Sequence, residues 1–381
     1  MSYTPGPRFG MVAGEASGDL LGGLLLDGLR RRWPGLRCEG IGGPDMARRG
    51  FDAWWPSETL AVRGYVEVLR HYAGIVRIRK QLKQRLLESP PHAFIGVDAP
   101  DFNLDLEAAL KARGVKTVHF VCPSIWAWRA GRTEKIKRSA DHVLCIFPFE
   151  PELLAREGIA STYVGHPLAS VIPMNPDKAA ARRALGLAQE DEVLAVLPGS
   201  RASEVHYHAG MFMAAAALLR KARSALRIVV PVTPVRRAAI EEAARAAGLA
   251  GRIKIMEGQS HSMLAACDLA LIASGTATLE AALFKRPMVI AYKVNWLSYR
   301  LMWPQHLQPW IGLPNILCGE FAVPELLQKA ANPRSLAAAL LEWLEAPARM
   351  AAVQDKFRAM HLQLQRDTAT LATHAIEKVI S

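Results

Sequence analysis

Short apolar, β-rich runs alternate with longer helical patterns in this chain, and the alternation starts twice. In the first half RFGMVA reads as a strand, GEASGD as a loop and LLGGLLLDGLRRRW as a helix. LRCEGIGG, HAFIGVD, KTVHFVC and DHVLCIF follow as strands, with amphipathic stretches between them. The second half restarts with EVLAVLPGS, LRIVVPV, GRIKIME, CDLALIAS and KRPMVIAYK as strands, and with MFMAAAALLRKA and RRAAIEEAARAAG among the helices. Strands that alternate with helices build parallel sheets covered by helices. The proline-marked STYVGHPLASVIPMNPDK lacks a clear period and reads as a link, and Pro333 to Ile380 reads as helical with breaks at Pro347 and Thr368. The expected fold class is therefore α/β, with two Rossmann-like doubly wound domains over 1–170 and 171–345 and a helical C-terminal segment over 346–381. A length of 381 residues agrees with two domains. Substrate is expected in an interdomain cleft, at the carboxyl ends of the strands.

Charge narrows the partners. The chain has 47 Lys and Arg against 35 Asp and Glu, a net charge of +12. Such a balance favours anionic partners: nucleic acid, a phospholipid surface or phosphorylated substrates. The excess concentrates in 63–88, with seven basic residues against Glu67 and Glu88, and in 129–138, with five against Glu134. No nucleic-acid-binding motif occurs and the aromatics are not interleaved along a strand-like platform, so no nucleic acid is expected as a partner. The stretch Trp54 to Arg85 mixes Trp54, Trp55 and aliphatic residues with Arg70, Arg77 and Lys80. That mixture suits an anionic membrane surface; it equally describes an amphipathic helix pair whose apolar face is core. The five cysteines are odd in number and form no CxxC pair, which suits a reducing compartment. MSYTPGPRFGMVAGEASGD lacks a secretory apolar region. The expected localisation is cytoplasmic, with at most a peripheral membrane association.

Several strand ends carry residues suited to chemistry. GEASGD follows a strand and opens a helix, where backbone N–H groups and the helix dipole favour anions; a tight turn capped by Ser17 or Asp19 is the alternative. Glu39, about twenty residues beyond Gly18, occupies the place of a ribose-binding acid, although G-x-G-x-x-G is absent. In GVDAPDFN, Asp98 ends an apolar strand and could act as a general base or simply form a turn. LPGSRASEV runs from a strand into a Gly-Ser turn with Arg201 as a fixed cation; no Gly-Lys-Ser/Thr follows, so this is not an NTPase loop. ASGTATLEAAL opens a helix with small residues: N–H groups at Ser274, Gly275 and Thr276 suit a diphosphate, and Glu280 one turn further suits ribose hydroxyls. Plain helix capping explains the same residues. His206 and His208 face different directions on one helix, and His119 reads as packed or hydrogen-bonded. No metal-ligand spacing appears, so a site without a metal ion is expected.

AGEASGDLLG, GIGGPDM, GVDAPDFNL, VCPSIWAWR, FPFEP, GHPLA, LPGSRASEV, ASGTATLE and LPNIL occur in one order over nearly the whole chain. Together they closely resemble the lipid-A-disaccharide synthases, inverting glycosyltransferases of lipid A assembly in Gram-negative bacteria. Ser170 stands where the family pattern leads one to expect an acidic residue. The resemblance implies a GT-B fold, UDP-2,3-diacylglucosamine as donor, 2,3-diacylglucosamine 1-phosphate as acceptor, and a β-1,6-linked disaccharide 1-phosphate plus UDP as products. It further implies a peripheral place on the inner membrane and a homodimer with exchanged C-terminal segments. No cofactor is expected. Under this resemblance Arg201, Ser274, Gly275, Thr276, Glu280 and Asn315 bind the donor, Glu15 and Ser17 the acceptor, and Asp98 removes the acceptor proton. A UDP-N-acetylglucosamine epimerase and a transferase making peptidoglycan precursors are the alternatives of the same fold; a non-enzymatic membrane module would explain the basic–apolar stretch alone.

Overall fold

A computed structural model describes residues 6–60, 65–126, 131–295, 299–300 and 307–381, with the backbone alone for residues 16 and 65–72. Arg63, Trp128 and Arg129 lie outside the described residues, as does the side chain of Arg70. The chain forms two compact units, one of residues 1–167 and 364–381 and one of residues 168–363.

The first unit holds a parallel sheet of β1 (Arg8–Ala13), β2 (Arg37–Gly42), β3 (Asp52–Pro56), β4 (Ala93–Val97), β5 (Lys116–Phe120), β6 (His142–Cys145) and β7 (Ser161–Tyr163), in the order β3-β2-β1-β4-β5-β6-β7. The second holds β8 (Val193–Leu197), β9 (Arg227–Val232), β10 (Ile253–Glu257), β11 (Leu269–Ala273), β12 (Met288–Tyr292) and β13 (Glu325–Leu327), ordered β10-β9-β8-β11-β12-β13 and also parallel. Both are the doubly wound orders of Rossmann-like units. The central strands AFIGV, VLAVL and LALIA are buried along their full length. A strand covered on both faces needs an unbroken apolar run, which is why these runs stand out in the sequence.

The edge strands β3, β7, β10 and β13 have no such run and no buried residue; β7 and β13 have three half-buried residues each. Short edges expose few unpaired backbone groups and require no apolar core face. β7 falls inside the stretch expected to be a featureless link.

β3 also corrects the expected helix pair over Trp54 to Arg85. Trp54 and Trp55 sit on β3, a short 3-10 turn Ser57–Thr59 follows, and a helix spans Tyr65–Glu88. Leu82 and Leu86 of that helix join the core, Ile75 and Ile78 pack partly buried against it, and Arg77 and Lys80 are exposed. The spacing is that of one apolar helix face. Trp54 and Trp55 do not stand free for a membrane: both pack half-buried on the same core, and the Arg85 guanidinium lies 3.7 Å from the centre of the Trp54 ring.

The C-terminal residues form helices Pro333–Leu344, Pro347–Leu364 and Thr368–Ile380. Asn332 and Asp367 cap the first and third through the backbone N–H groups of Ser335 and Thr370. The first packs on the helix Ala202–Ala222 of the second unit, where the buried Trp343 indole donates to Met288 O at 3.2 Å. Thr368–Ile380 packs on the helix Ala16–Arg32 of the first unit, and Arg32 pairs with Glu377.

Candidate active site

In the first unit the candidate residues gather where β1 and β4 end. The two strands are neighbours with Ala13 opposite Val97, so the loops that follow them emerge side by side. Such a place, where the strand order reverses, is the switch point at which open α/β sheets bind ligands. Glu15 takes the N-cap place of the helix Ala16–Arg32 without a side-chain capping bond, and Glu15 and Ser17 are exposed there. Asp19 is not a cap. Its buried carboxylate accepts from the backbone N–H groups of Gly43, Asp45 and Met46 at 2.8–3.0 Å, and so holds the GIGGPDM turn against the helix. Glu39 pairs with Arg8 along the sheet, which occupies the group that a ribose-binding role would need.

Asp98 ends β4 in a left-handed backbone conformation, φ 52°, and Ala99 follows with φ 43°. Two consecutive non-glycine residues in this region are costly and persist only where their surroundings enforce them. Here Asp98 N–H donates to Phe120 O and the Asn103 amide donates to Asp98 O, both at 2.8 Å. Val121, at the end of β5, is also left-handed, φ 81°. His119 is buried as expected and bonds Glu107 Oε1 through Nδ1 at 2.7 Å. Burial pulls the His119 pKa down, but the charge and hydrogen bond of Glu107 and the charge of Asp98 outweigh it and leave the pKa raised.

Sequence reasoning gave no role to a polar and aromatic cluster behind β5 and β6. Glu150 is buried and accepts from Trp126 Nε1, Ile146 N and Phe147 N at 3.0–3.1 Å. Phe147 and Phe149 stack at 5.9 Å, and Trp126 meets both edge-on. His166 packs against Phe147, where burial pulls its pKa down to about 4. The motifs PSIW, FPFEP and GHP carry these residues, but the pairing of Trp126 with Glu150 spans 24 positions and leaves no local pattern.

In the second unit, β8 and β11 are neighbours with Leu197 opposite Ile272, so the turns beyond them also emerge together. Gly199 has φ 110°, and Glu204 folds back beneath it to accept from Ser200 N and Arg201 N at 3.0 and 3.1 Å. The Arg201 side chain is 79% exposed, with Glu204 Oε1 at 3.6 Å. The turn is thus held by Glu204, and the guanidinium remains available to an anion. Ser274 Oγ donates to Ile311 O at 3.2 Å; Gly275, φ 148°, and Thr276 are exposed at the start of the helix Thr276–Leu283. First-turn N–H groups have no partner within a helix. Glu280 lies one turn on, 20% exposed, with His261 Nε2 at 3.3 Å; its hydrogen bond raises the His261 pKa.

Asn315 is fully buried, and its amide is bonded inside the unit: Nδ2 donates to Val323 O and Glu325 Oε1, and Oδ1 accepts from Val323 N. Glu325 in turn accepts from Ile311 and Gly312 N–H at 2.8 and 2.9 Å. Asn315 thus supports the segment that Ser274 touches. His206 is exposed and His208 buried on one helix, facing apart as their spacing predicts. Among the described residues no group of three His, Cys, Asp or Glu is placed to hold a metal ion, and no helix is long and apolar enough to cross a membrane.

The family model for lipid-A-disaccharide synthetase matches residues 10–379. The lipid-A-disaccharide synthase of Albidiferax ferrireducens is 64% identical over 375 residues, 97% of this chain and 96% of that protein. That of Verminephrobacter eiseniae is 61% identical over 379 residues, covering 98% and 97%. Among solved structures, the fold is similar to a glycotransferase of kitacinnamycin, with TM-score 0.61, 16% identity and coverage of 99% and 100%. It is also similar to the UDP-GlcNAc 2-epimerase of Neisseria meningitidis, with TM-score 0.59, 12% identity and coverage of 98% and 99%. The epimerase therefore shares the GT-B fold alone, whereas the match to the synthases extends over the whole sequence. On that match the chain belongs to the lipid-A-disaccharide synthase family, glycosyltransferases that form the lipid A disaccharide.

Proposed function

We propose that the chain transfers the 2,3-diacylglucosaminyl group of UDP-2,3-diacylglucosamine to the 6-hydroxyl of 2,3-diacylglucosamine 1-phosphate, with inversion and without a metal ion. The second unit holds the donor: the Gly275 and Thr276 N–H groups and Arg201 bind its diphosphate, Ser274 shapes the turn, and Glu280 accepts from the ribose hydroxyls. The first unit binds the acceptor through Glu15 and Ser17 and supplies Asp98 as base. In the reaction the acceptor oxygen bonds to the anomeric carbon while its proton passes to the Asp98 carboxylate. The bond from that carbon to the diphosphate oxygen breaks, and UDP leaves with the electron pair. Preorganised N–H donors, a helix dipole and a fixed guanidinium stabilise the charge that grows on UDP, which is the task a metal performs elsewhere. An alcohol is a poor nucleophile near neutral pH, so a positioned base matters.

The observation that carries this reading is the strained strand end at Asp98, a carboxylate held at the switch point of its sheet. Both substrates carry acyl chains, so the reading includes a peripheral, cytoplasmic-side association with an anionic membrane. The exposed Arg77, Lys80 and Val76 of the helix Tyr65–Glu88 are its described candidates, together with the half-buried Trp54 and Trp55. A homodimer with exchanged C-terminal segments belongs to the same reading, the partner's helix then making the contacts that Thr368–Ile380 makes here.

The test incubates the purified chain with both lipid substrates in detergent and EDTA, following UDP release and the lipid product. Disaccharide 1-phosphate and UDP in equal amounts are expected. Activity that appears only on adding Mg²⁺ would overturn the account of the leaving group.

A further inference from the structure

Directly beneath Asp98 lies a buried polar cluster that the roles above do not use. Asn103 and Glu107 sit one helical turn apart on the helix Pro100–Lys111, and His119 sits on β5; all three are fully buried. They meet over Gly96, which stands in register with His119 on one side and Val12 on the other. A side chain at Gly96 would collide with Glu107 Oε1, and its Cβ would lie 2.8 Å from Asn103 Cβ. The backbone of β4 thus leaves room for polar groups where apolar ones would ordinarily pack.

The cluster is not built for stability. Asn103 Oδ1, Glu107 Oε2 and His119 Nε2 are buried without a hydrogen-bond partner, and each such atom detracts from folding. Apolar side chains of the same volume would generally fill the space at lower cost than a buried ion pair. What the cluster does reach is Asp98. The Asn103 amide donates to the Asp98 carbonyl at 2.8 Å and lies 3.4 Å from Val97 O, which fixes the two carbonyls on either side of the turn into the left-handed conformation. Glu107, bonded to His119 at 2.7 Å, ties the same helix to β5, whose Phe120 carbonyl receives the Asp98 N–H.

We propose that Asn103, Glu107 and His119 are positioning residues that hold Asp98 and its carboxylate in the conformation that accepts the proton of the attacking hydroxyl. The proposal rests on reading Asp98 as the base. It differs from a general packing role in one respect: its effect on turnover passes through the Asp98 carboxylate alone.

A double-mutant cycle tests this, with Asp98→Asn, Asn103→Ala and the pair, reading kcat, both KM values, UDP affinity and the urea unfolding midpoint. Asp98→Asn is expected to lower kcat by about 100-fold or more. Asn103→Ala is expected to lower kcat by about 10- to 100-fold, with both KM values and UDP affinity within about threefold, because a misplaced base impairs only the chemical step. In the Asp98→Asn background, Asn103→Ala should change kcat by less than about twofold. An equal further loss in both backgrounds, or no loss in the first, overturns the positioning role. An Asp98→Asn variant within about threefold of the parent overturns the base reading itself, and the proposal with it. Where Asn103→Ala does not fold, Glu107→Gln replaces it, keeping the volume and one hydrogen bond, with the same non-additivity expected.

Discussion

Gly275 offers a clean way to separate the shape of the donor turn from the stability of the fold. Its φ of 148° with ψ of −167° lies in a region that residues with a Cβ avoid, at a cost of about 1–3 kcal/mol. A Cβ built there meets nothing within 4 Å, so Gly275→Ala introduces no collision, and the backbone preference is its whole effect. Either the turn keeps its shape and the unit loses about 1–3 kcal/mol, or the turn relaxes and the N–H groups of Gly275 and Thr276 swing away. Hydrogen bonds to a charged group are worth about 1.5–3 kcal/mol, so relaxation should weaken UDP binding by about 10- to 150-fold. The control is Gly248→Ala. Gly248 has φ 71°, also has nothing within 4 Å of a built Cβ, and follows the helix Arg237–Ala246, away from both donor turns. It should lower the melting temperature by about 2–4 °C per kcal/mol of strain and leave UDP binding alone. Calorimetric titration with UDP and a thermal melt on each variant decide the matter. If Gly275→Ala escapes the stability loss that Gly248→Ala shows, so that its turn has relaxed, and still binds UDP as the parent does, this turn does not hold the diphosphate.

Two further outcomes follow from the charges described. Replacing Arg77 and Lys80 together by Gln should weaken sedimentation with anionic vesicles, flatten its dependence on salt and leave neutral vesicles unaffected; equal loss on both vesicle types would remove the electrostatic role. Lys285 is buried, donates to His361 Nδ1 and has its pKa pulled down to about 8, first by burial and then by the charges of Arg358 and Arg286. Between that value and the ordinary 10.5 the unfolded chain binds a proton that the folded chain has released. Stability therefore rises with pH across that window, by up to about 3 kcal/mol. Urea unfolding at pH 7.5 and 10 should show this rise in the parent and not in Lys285→Met; the same pH dependence in both would refute the assignment to Lys285.

The parts of this molecule that can be read from residues are those whose physics is local. β4, β8 and β11 are buried on both faces, so each is an apolar run ended by a turn, and candidate site residues follow each run: Asp98, the turn before Arg201, and Ser274. β7 and β13 are short and half-exposed, so nothing distinguishes their residues from loop. Trp54 and Trp55 read equally well as membrane-facing or core, since composition gives a face its character but not its neighbour; packing of the helix Tyr65–Glu88 against β3 decides it. Asn315 lies in LPNIL, yet its bonds to Glu325 and Val323, 10 and 8 positions away, cannot be read from that motif. Glu107 with His119, and Glu150 with Trp126, pair across 12 and 24 positions, and only the folded sheet makes these pairs visible.

The two units also show why one fold can carry both halves of a transfer reaction. Each sheet has the order 3-2-1-4 at its core, and in each the candidate residues follow the two strands at which the order reverses: β1 and β4 in the first, β8 and β11 in the second. Topology assigns the place, and side chains assign the chemistry. After β1 and β4 stand Glu15 and Asp98, two carboxylates, the second half-buried on a strained backbone; such a pair suits hydroxyl groups and a departing proton. After β8 and β11 stand Arg201 and a glycine-led helix start, a cation and a row of N–H donors, which suit a diphosphate. Exchanging the two sets would set carboxylates against the diphosphate and leave the hydroxyl without a base. On the proposed reading the division of labour thus follows from charge at equivalent strand ends, because carboxylates in the place of Arg201 and the N–H donors would repel the diphosphate.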